Sequence, residues 1–326
     1  NICLSGGIIL DNLIFSFNTI IPIFLVMAVG YFSKEIGLID EKFINTAVKF
    51  NFKVGLSTLL FYEIYSAQVG KSFNSKLLIF AFLSIVISVV VLCIMIPIFI
   101  KDKKRASAMI HTIYRSNFVL LGIPIGINML GKSNLEYVAL LLPVAIPTYN
   151  FLAVVILAVF DENGDINIKE KIKFTIMGII KNPLIIASVI AILMKACSLK
   201  LPMFIDKSVS EVASLGTPLA LITLGAQLKF KSVVKNLRYS LIATLGRLVI
   251  LPCLLVIISI LMGFRGNELA SLFILFSAPT AVSSYIMARE MNSDYRLTGD
   301  VVILSTFFSM FTIFIGIYVL KSFSFI

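Results

Sequence analysis

At 326 residues, with 59% apolar and 14% charged side chains and a mean hydropathy of +1.02, the chain has too little charge to coat a soluble globule. Its formal net charge of +11 sits on lysines and arginines in short loops between apolar runs, so membrane topology explains it better than a nucleic-acid partner does. Those runs approach twenty residues, the length a helix needs to cross hydrocarbon, whereas a membrane barrel would show ~10-residue alternating segments. The expected fold class is an all-α polytopic membrane protein.

The chain begins at Asn1 rather than Met, and residues 1 to about 10 are expected to be a trimmed or foreign terminus. The first apolar run, Leu13 to Phe32, follows no basic stretch, carries Pro22 and lacks a small-x-small cleavage pattern. It reads as a spanning helix rather than a cleavable signal. Ten spans are expected, near residues 13–33, 45–65, 77–100, 108–131, 135–160, 173–197, 208–229, 238–263, 268–290 and 298–320. Residues 11–160 then form a first five-helix repeat, 161–172 a short cytoplasmic link and 173–322 a second repeat. An odd number of spans per half makes the two repeats inverted. The loops after spans 1, 3, 5, 7 and 9 hold fifteen Lys and Arg, among them Lys101, Lys103, Lys104 and Arg105, against eight on the other side. That bias places the odd loops in the cytoplasm and both termini outside. Abundant Ile, Lys and Asn suit a bacterial cytoplasmic membrane.

Helix breakers recur at matching places in the two halves. Span 2 carries Gly55-Leu56-Ser57 and span 7 Leu215-Gly216-Thr217-Pro218. Span 4 carries Arg115-Ser116-Asn117 before Gly122-Ile123-Pro124, and span 9 carries Ser277-Ala278-Pro279-Thr280 before Ser283-Ser284. Proline removes a donor and crowds the preceding turn, while glycine loosens the backbone. In lipid, the freed backbone groups persist only against protein or a water-filled cavity. Two interrupted helices in corresponding positions point to a transporter's central site, where half-helix N-termini attract an anion. Ordinary kinks are the plainer alternative, since Gly and Pro are frequent in spanning helices.

Other signals are weaker. Gly126 to Ser133 matches the P-loop pattern, but it straddles the end of span 4 instead of joining a strand to a helix, so no ATP binding is expected. His111 has no Cys or His nearby for a metal and is expected to make a polar contact at a helix end. Four scattered cysteines suggest neither a metal site nor a disulfide framework. Neither G-x-S-x-G nor H-E-x-x-H occurs, and no enzyme function is expected. Arg247, near the middle of span 8, either offsets an anionic substrate or pairs with a carboxylate such as Asp300 or Glu290, and pairing is favoured. Lys49 and Lys53 are expected to snorkel from an amphipathic entry to span 2.

The sequence resembles the auxin efflux carrier family in its short prokaryotic form, which includes malate and malonate permeases. The resemblance rests on Ile21-Pro22-Ile23-Phe24, Gly30-Tyr31, Gly37-Leu38-Ile39-Asp40, Arg115-Ser116-Asn117, Gly122-Ile123-Pro124, Lys181-Asn182-Pro183, Leu224-Gly225-Ala226-Gln227-Leu228, Arg247 with Pro252, and Ala278-Pro279-Thr280 followed by Ala288-Arg289-Glu290. It covers the chain from about residue 10. It implies ten helices in two inverted repeats, with spans 1, 2, 6 and 7 as a scaffold and often a homodimer interface. Spans 3–5 and 8–10 would form a transport unit in which broken helices 4 and 9 cross. Substrate would lie beside the crossing at Ser116, Asn117, Tyr149, Asn150, Asn182, Pro279 and Thr280. Span 4 here has Ser116-Asn117 where plant carriers have Pro-Asn, so its break would rest on Asn117 with Gly122 and Pro124.

The expected function is therefore secondary transport of a small organic anion, a mono- or dicarboxylate or an auxin-like acid, by alternating access. No cofactor is expected, and a coupling ion, sodium or proton, is left open. The rival expectations are an ion-coupled carrier with the cation at the crossing and a membrane sensor that binds without translocating.

Overall fold

A computed structural model describes residues 2–66, 74–131, 134–160, 170, 173, 177, 180–181, 183–228 and 237–326. Among them, the first stretch forms α1 (Ile2–Glu35), α2 (Glu41–Phe50) and α3 (Leu56–Ser66). The middle holds α4 (Ser75–Phe99), α5 (Lys103–Tyr114), α6 (Ile123–Leu130) and α7 (Glu136–Val159). Then come α8 (Pro183–Ala196), α9 (Met203–Ser214), α10 (Gly216–Ala226), α11 (Leu237–Leu245) and α12 (Leu251–Leu261). The chain finishes with α13 (Gly266–Ser277), α14 (Ser283–Glu290) and α15 (Tyr295–Ser322). The one departure from helical pairing among the described residues is an isolated antiparallel bridge between Ser116 and Thr280.

Local chemistry sets several boundaries. Asp40, Asp102 and Asp294 each accept a hydrogen bond from the backbone N–H three residues on, at 2.7, 3.1 and 3.0 Å, and so open α2, α5 and α15. Such caps satisfy donors that a helix start leaves free. Widened π turns occupy Asn51–Gly55, Phe118–Gly122 and Gly246–Ile250. Two of them lie just ahead of Pro124 and Pro252, whose rings would otherwise meet the carbonyl four residues back. Helix therefore runs continuously from Phe118 to Leu130. The expected break at Gly122 and Pro124 is corrected: both residues are accommodated inside that helix.

Among the described residues, six stretches are long and apolar enough to cross a membrane: Leu10–Glu35, Ser75–Phe99, Glu136–Val159, Met203–Ala226, Leu237–Leu261 and Tyr295–Ser322. Along α4, Ile79, Leu83, Ile87, Val90, Ile94 and Ile98 are all exposed. Six large aliphatic side chains on one helix turned outward suit lipid far better than water. Lys42, Lys49 and Lys53 are exposed while Ile44 and Ala47 of α2 are buried, the two-sided pattern expected of an entry segment.

By internal contacts the chain forms two compact units. The first comprises residues 1–74, 119–143 and 180–228, the second 75–118, 144–179 and 229–326. In the first, α1 packs on α10, and α3 on α8 and α9. Gly30 of α1 and Gly225 of α10 make the first of these contacts intimate. A Cβ on Gly30 would overlap the Ile222 carbonyl oxygen and lie 2.7 Å from its carbon, and one on Gly225 would overlap the Met27 carbonyl oxygen. Small residues let helices approach this closely in membranes. Gly30→Val is expected to cost about 1–3 kcal/mol, read as a lowered unfolding temperature of the purified chain, because backbone and not a flexible side chain stands in the way. An unchanged unfolding temperature would mean that the two helices part without penalty.

The second unit is built on α5, α11 and α15, where Ala108, Met109, Ile113, Ala243, Leu297 and Val301 form a buried apolar cluster. Val154, Leu157 and Ala158 of α7 pack with Met291. These two clusters hold in place the chain interruptions described next.

Candidate functional site

Within the second unit, α5 stops at Tyr114 and α13 at Ser277. The two stops have different causes. Ala278 precedes proline, a position that disfavours helix, and it takes φ −58° and ψ 144°. Arg115 has no proline after it, yet it is extended at φ −80° and ψ 113°. Its segment is held open from outside by the other interruption. Asn117 N donates to the Pro279 carbonyl at 2.7 Å, and Ala281 N donates to the Arg115 carbonyl at 3.3 Å. The break of span 4 thus needs no proline, since pairing between the strands of the crossing substitutes for it.

The last carbonyls of α5 and the Ala278 carbonyl after α13 have partners. Thr280 Oγ1 donates to the Thr112 carbonyl at 2.8 Å, and Thr280 N donates to Ser305 Oγ at 3.1 Å. Arg247, 1% exposed, supplies further donors. Its Nε donates to the Ala278 carbonyl at 2.8 Å, its Nη2 to the same oxygen, and its Nη1 to the Ile113 and Tyr114 carbonyls at 3.2 Å each. One guanidinium therefore caps the negative ends of α5 and α13 together. The expected carboxylate partner for Arg247 is corrected. It pairs with three backbone oxygens, and the salt bridges among the described residues are Lys34–Glu41 and Arg105–Asp102.

Beside these paired backbone groups stand side-chain atoms with no partner among the described residues. Asn117 Nδ2, Ser277 Oγ and Ser284 Oγ are buried without a hydrogen-bond partner among the described residues. A buried amide donor with nothing to bind costs free energy, and such a group calls for a ligand or water.

Around these groups lie most of the residues singled out in the sequence. Ser116 and Thr280 form the bridge, and Pro279 accepts from Asn117. Tyr149 is buried and its carbonyl accepts from the Tyr114 hydroxyl at 3.2 Å, while Ser116 Oγ is buried without a hydrogen-bond partner among the described residues. Asn150 Oδ1 accepts from Arg115 Nη2 at 2.7 Å. Gly122 and Pro124 belong to the first unit. Asn182 lies outside the described residues. The expected polar contact of His111 is corrected: both ring nitrogens are buried without a hydrogen bond among the described residues, and the ring meets Tyr114 edge-on at 6.0 Å.

Sequence reasoning gave no role to Arg115, Ser283 or Ser284. Arg115 is 5% exposed and donates to Asn150, to Ser283 Oγ at 3.1 Å and to Met287 Sδ at 2.9 Å. The signal was available, because an ionisable residue far inside an apolar span is functional by default. The P-loop look-alike has its helix on the wrong side, since Gly126 lies within α6 and Gly131 caps its end at φ 74°. A phosphate-cradling loop would precede the helix.

The sequence model of a family described as membrane transport protein matches residues 15–317. An uncharacterized transporter of Methanocaldococcus jannaschii is 23% identical over 313 residues, which cover 91% of this chain and 96% of that protein.

Proposed function

The chain belongs to the membrane transport protein family, that of the auxin efflux carriers, and from this premise we propose that it is a secondary transporter moving a small organic anion by alternating access. The observation that carries the proposal is the Asn117 amide nitrogen, buried and without a partner among the described residues, beside two interrupted helices that pair with each other. The carboxylate of a mono- or dicarboxylate or an auxin-like acid offers the acceptor that the amide lacks. The Arg115 guanidinium beside it adds positive charge, with uncharged partners among the described residues.

The wider architecture belongs to the same proposal. Ten spans form two inverted five-helix repeats in the cytoplasmic membrane, with both termini outside. The interruptions at residues 115–117 and 278–282 fall in spans 4 and 9, where that symmetry asks for them. Spans 1 and 2, span 6 from residue 180 on, and span 7 to residue 228 fall in the first compact unit, which suits a scaffold and a homodimer interface. Residues 119–143 cluster with that unit, so the mobile unit is proposed as residues 75–118, 144–179 and 229–326. No cofactor takes part.

The test is uptake of labelled carboxylates into proteoliposomes, with and without the same carboxylate inside and with and without a sodium or proton gradient. Acceleration by internal carboxylate is expected. Uptake that appears only with a gradient would make the protein an ion-coupled carrier, and binding without counterflow would make it a sensor.

A further inference from the structure

Arg115 and Arg247 are both buried, but their hydrogen-bond partners differ in kind. Arg247 spends its donors on carbonyls at the C-terminal ends of α5 and α13, where the helix dipoles are negative. Its charge is met within the fold. Among the described residues, Arg115 instead donates to the side chains of Asn150, Ser283 and Met287, none of them charged. Ser283 is the first residue of α14, which has no side-chain cap, so the guanidinium stands at a positive dipole end. A buried cation beside a positive helix end is unfavourable unless an anion joins them, because buried charges persist only when paired. Ser284 adds, in the same first turn, a fully buried hydroxyl with no partner among the described residues. Side chains two residues apart on extended backbone project to the same side, and Arg115 and Asn117 are so spaced.

We infer that Arg115 is the counter-charge of the transported anion and the residue that makes the site prefer an ionised carboxylate to its neutral isostere. This rests on the anion site proposed at the crossing and adds to it the source of its charge selectivity. Arg115 binds the carboxylate with the donor hydrogens left over from Asn150, Ser283 and Met287, while Asn117 Nδ2 supplies a neutral donor. Nη2 gives both its hydrogens to Asn150 and Ser283, so the carboxylate is met in one-point contact through Nε–H or the second hydrogen of Nη1. Glu290, the acidic residue of α14, has its side chain outside the described residues and serves as a control.

The test uses the purified full chain in detergent and reads ligand-induced thermal stabilisation. The probes are pyruvate, succinate and indole-3-acetate, each beside its neutral amide at matched ionic strength. The wild type is expected to bind at least one carboxylate about 10- to 100-fold more tightly than its amide, the usual yield of a charge-assisted hydrogen bond. Arg115→Gln is expected to close that gap by weakening the carboxylate alone, Arg115→Lys to keep most of it, and Glu290→Gln to leave it unchanged. A gap preserved in Arg115→Gln, or closed equally by Glu290→Gln, overturns the inference. If Arg115→Gln does not fold, Arg115→Lys decides, since loss of the gap with the positive charge retained contradicts a counter-charge role. Failure of all three carboxylates to bind the wild type removes the anion site itself. Binding lost in Asn117→Ala but undiminished in Arg115→Gln removes only the role given to Arg115.

Discussion

Asn117→Ala is expected to cut carboxylate uptake into proteoliposomes roughly 100-fold while leaving the amount and thermal stability of folded protein unchanged. The two halves of this result have separate physical origins. Asn117 holds the crossing together through its backbone, by the 2.7 Å bond from its N–H to the Pro279 carbonyl, and alanine keeps that bond. Its side-chain amide nitrogen has no partner among the described residues, so truncation breaks nothing there and removes a buried unsatisfied donor. What the amide can contribute is therefore realised only with ligand present. A variant that transports normally would exclude the amide from the site, and a variant that unfolds would mean that it carries the fold.

Arg247→Met is expected to do the reverse, destabilising the second unit by about 3–5 kcal/mol and abolishing transport as a consequence. Methionine fills much of the space, yet it leaves the carbonyls of Ile113, Tyr114 and Ala278 buried without the donors that now satisfy them. The negative ends of α5 and α13 would then face each other with no cation between them. Arg247→Lys should recover part of the loss, since an ammonium brings the charge but not the fork that reaches three oxygens. Thermal unfolding of the purified variants checks this. Stability equal to wild type in Arg247→Met would show that the carbonyls find other partners and that Arg247 is no staple.

The contrast between these residues shows where the sequence was informative. Apolar length alone marked the long spans, because about twenty residues without charge have few other uses. The Ala278-Pro279 pair announced the end of α13 through a local steric rule. At Ser116-Asn117 the sequence offered no breaker, and the interruption depends on pairing with a segment more than 160 residues away. Composition and spacing cannot carry such a contact. The same limit applies to Arg247, whose mid-span position pointed to a partner but whose partner is backbone and therefore invisible in residue identities. Pro124 was misread as a break because proline's clash with the preceding turn can be relieved by a π turn as well as by ending the helix. Arg115 was overlooked beside the more suggestive Ser116-Asn117, although its charge deep in an apolar span was the stronger physical oddity. His111 was expected to find a polar neighbour, and only packing shows that its nitrogens have none.

The most direct measurement is an experimental density map of the chain in a lipid nanodisc with a carboxylate that stabilises it. Density for the anion within hydrogen-bond reach of Asn117 Nδ2 and the Arg115 guanidinium, between half-helices that end at Tyr114 and Ser277, is the predicted result. Continuous helices through residues 112–120 and 276–284, or an anion bound elsewhere with the crossing empty, would contradict it.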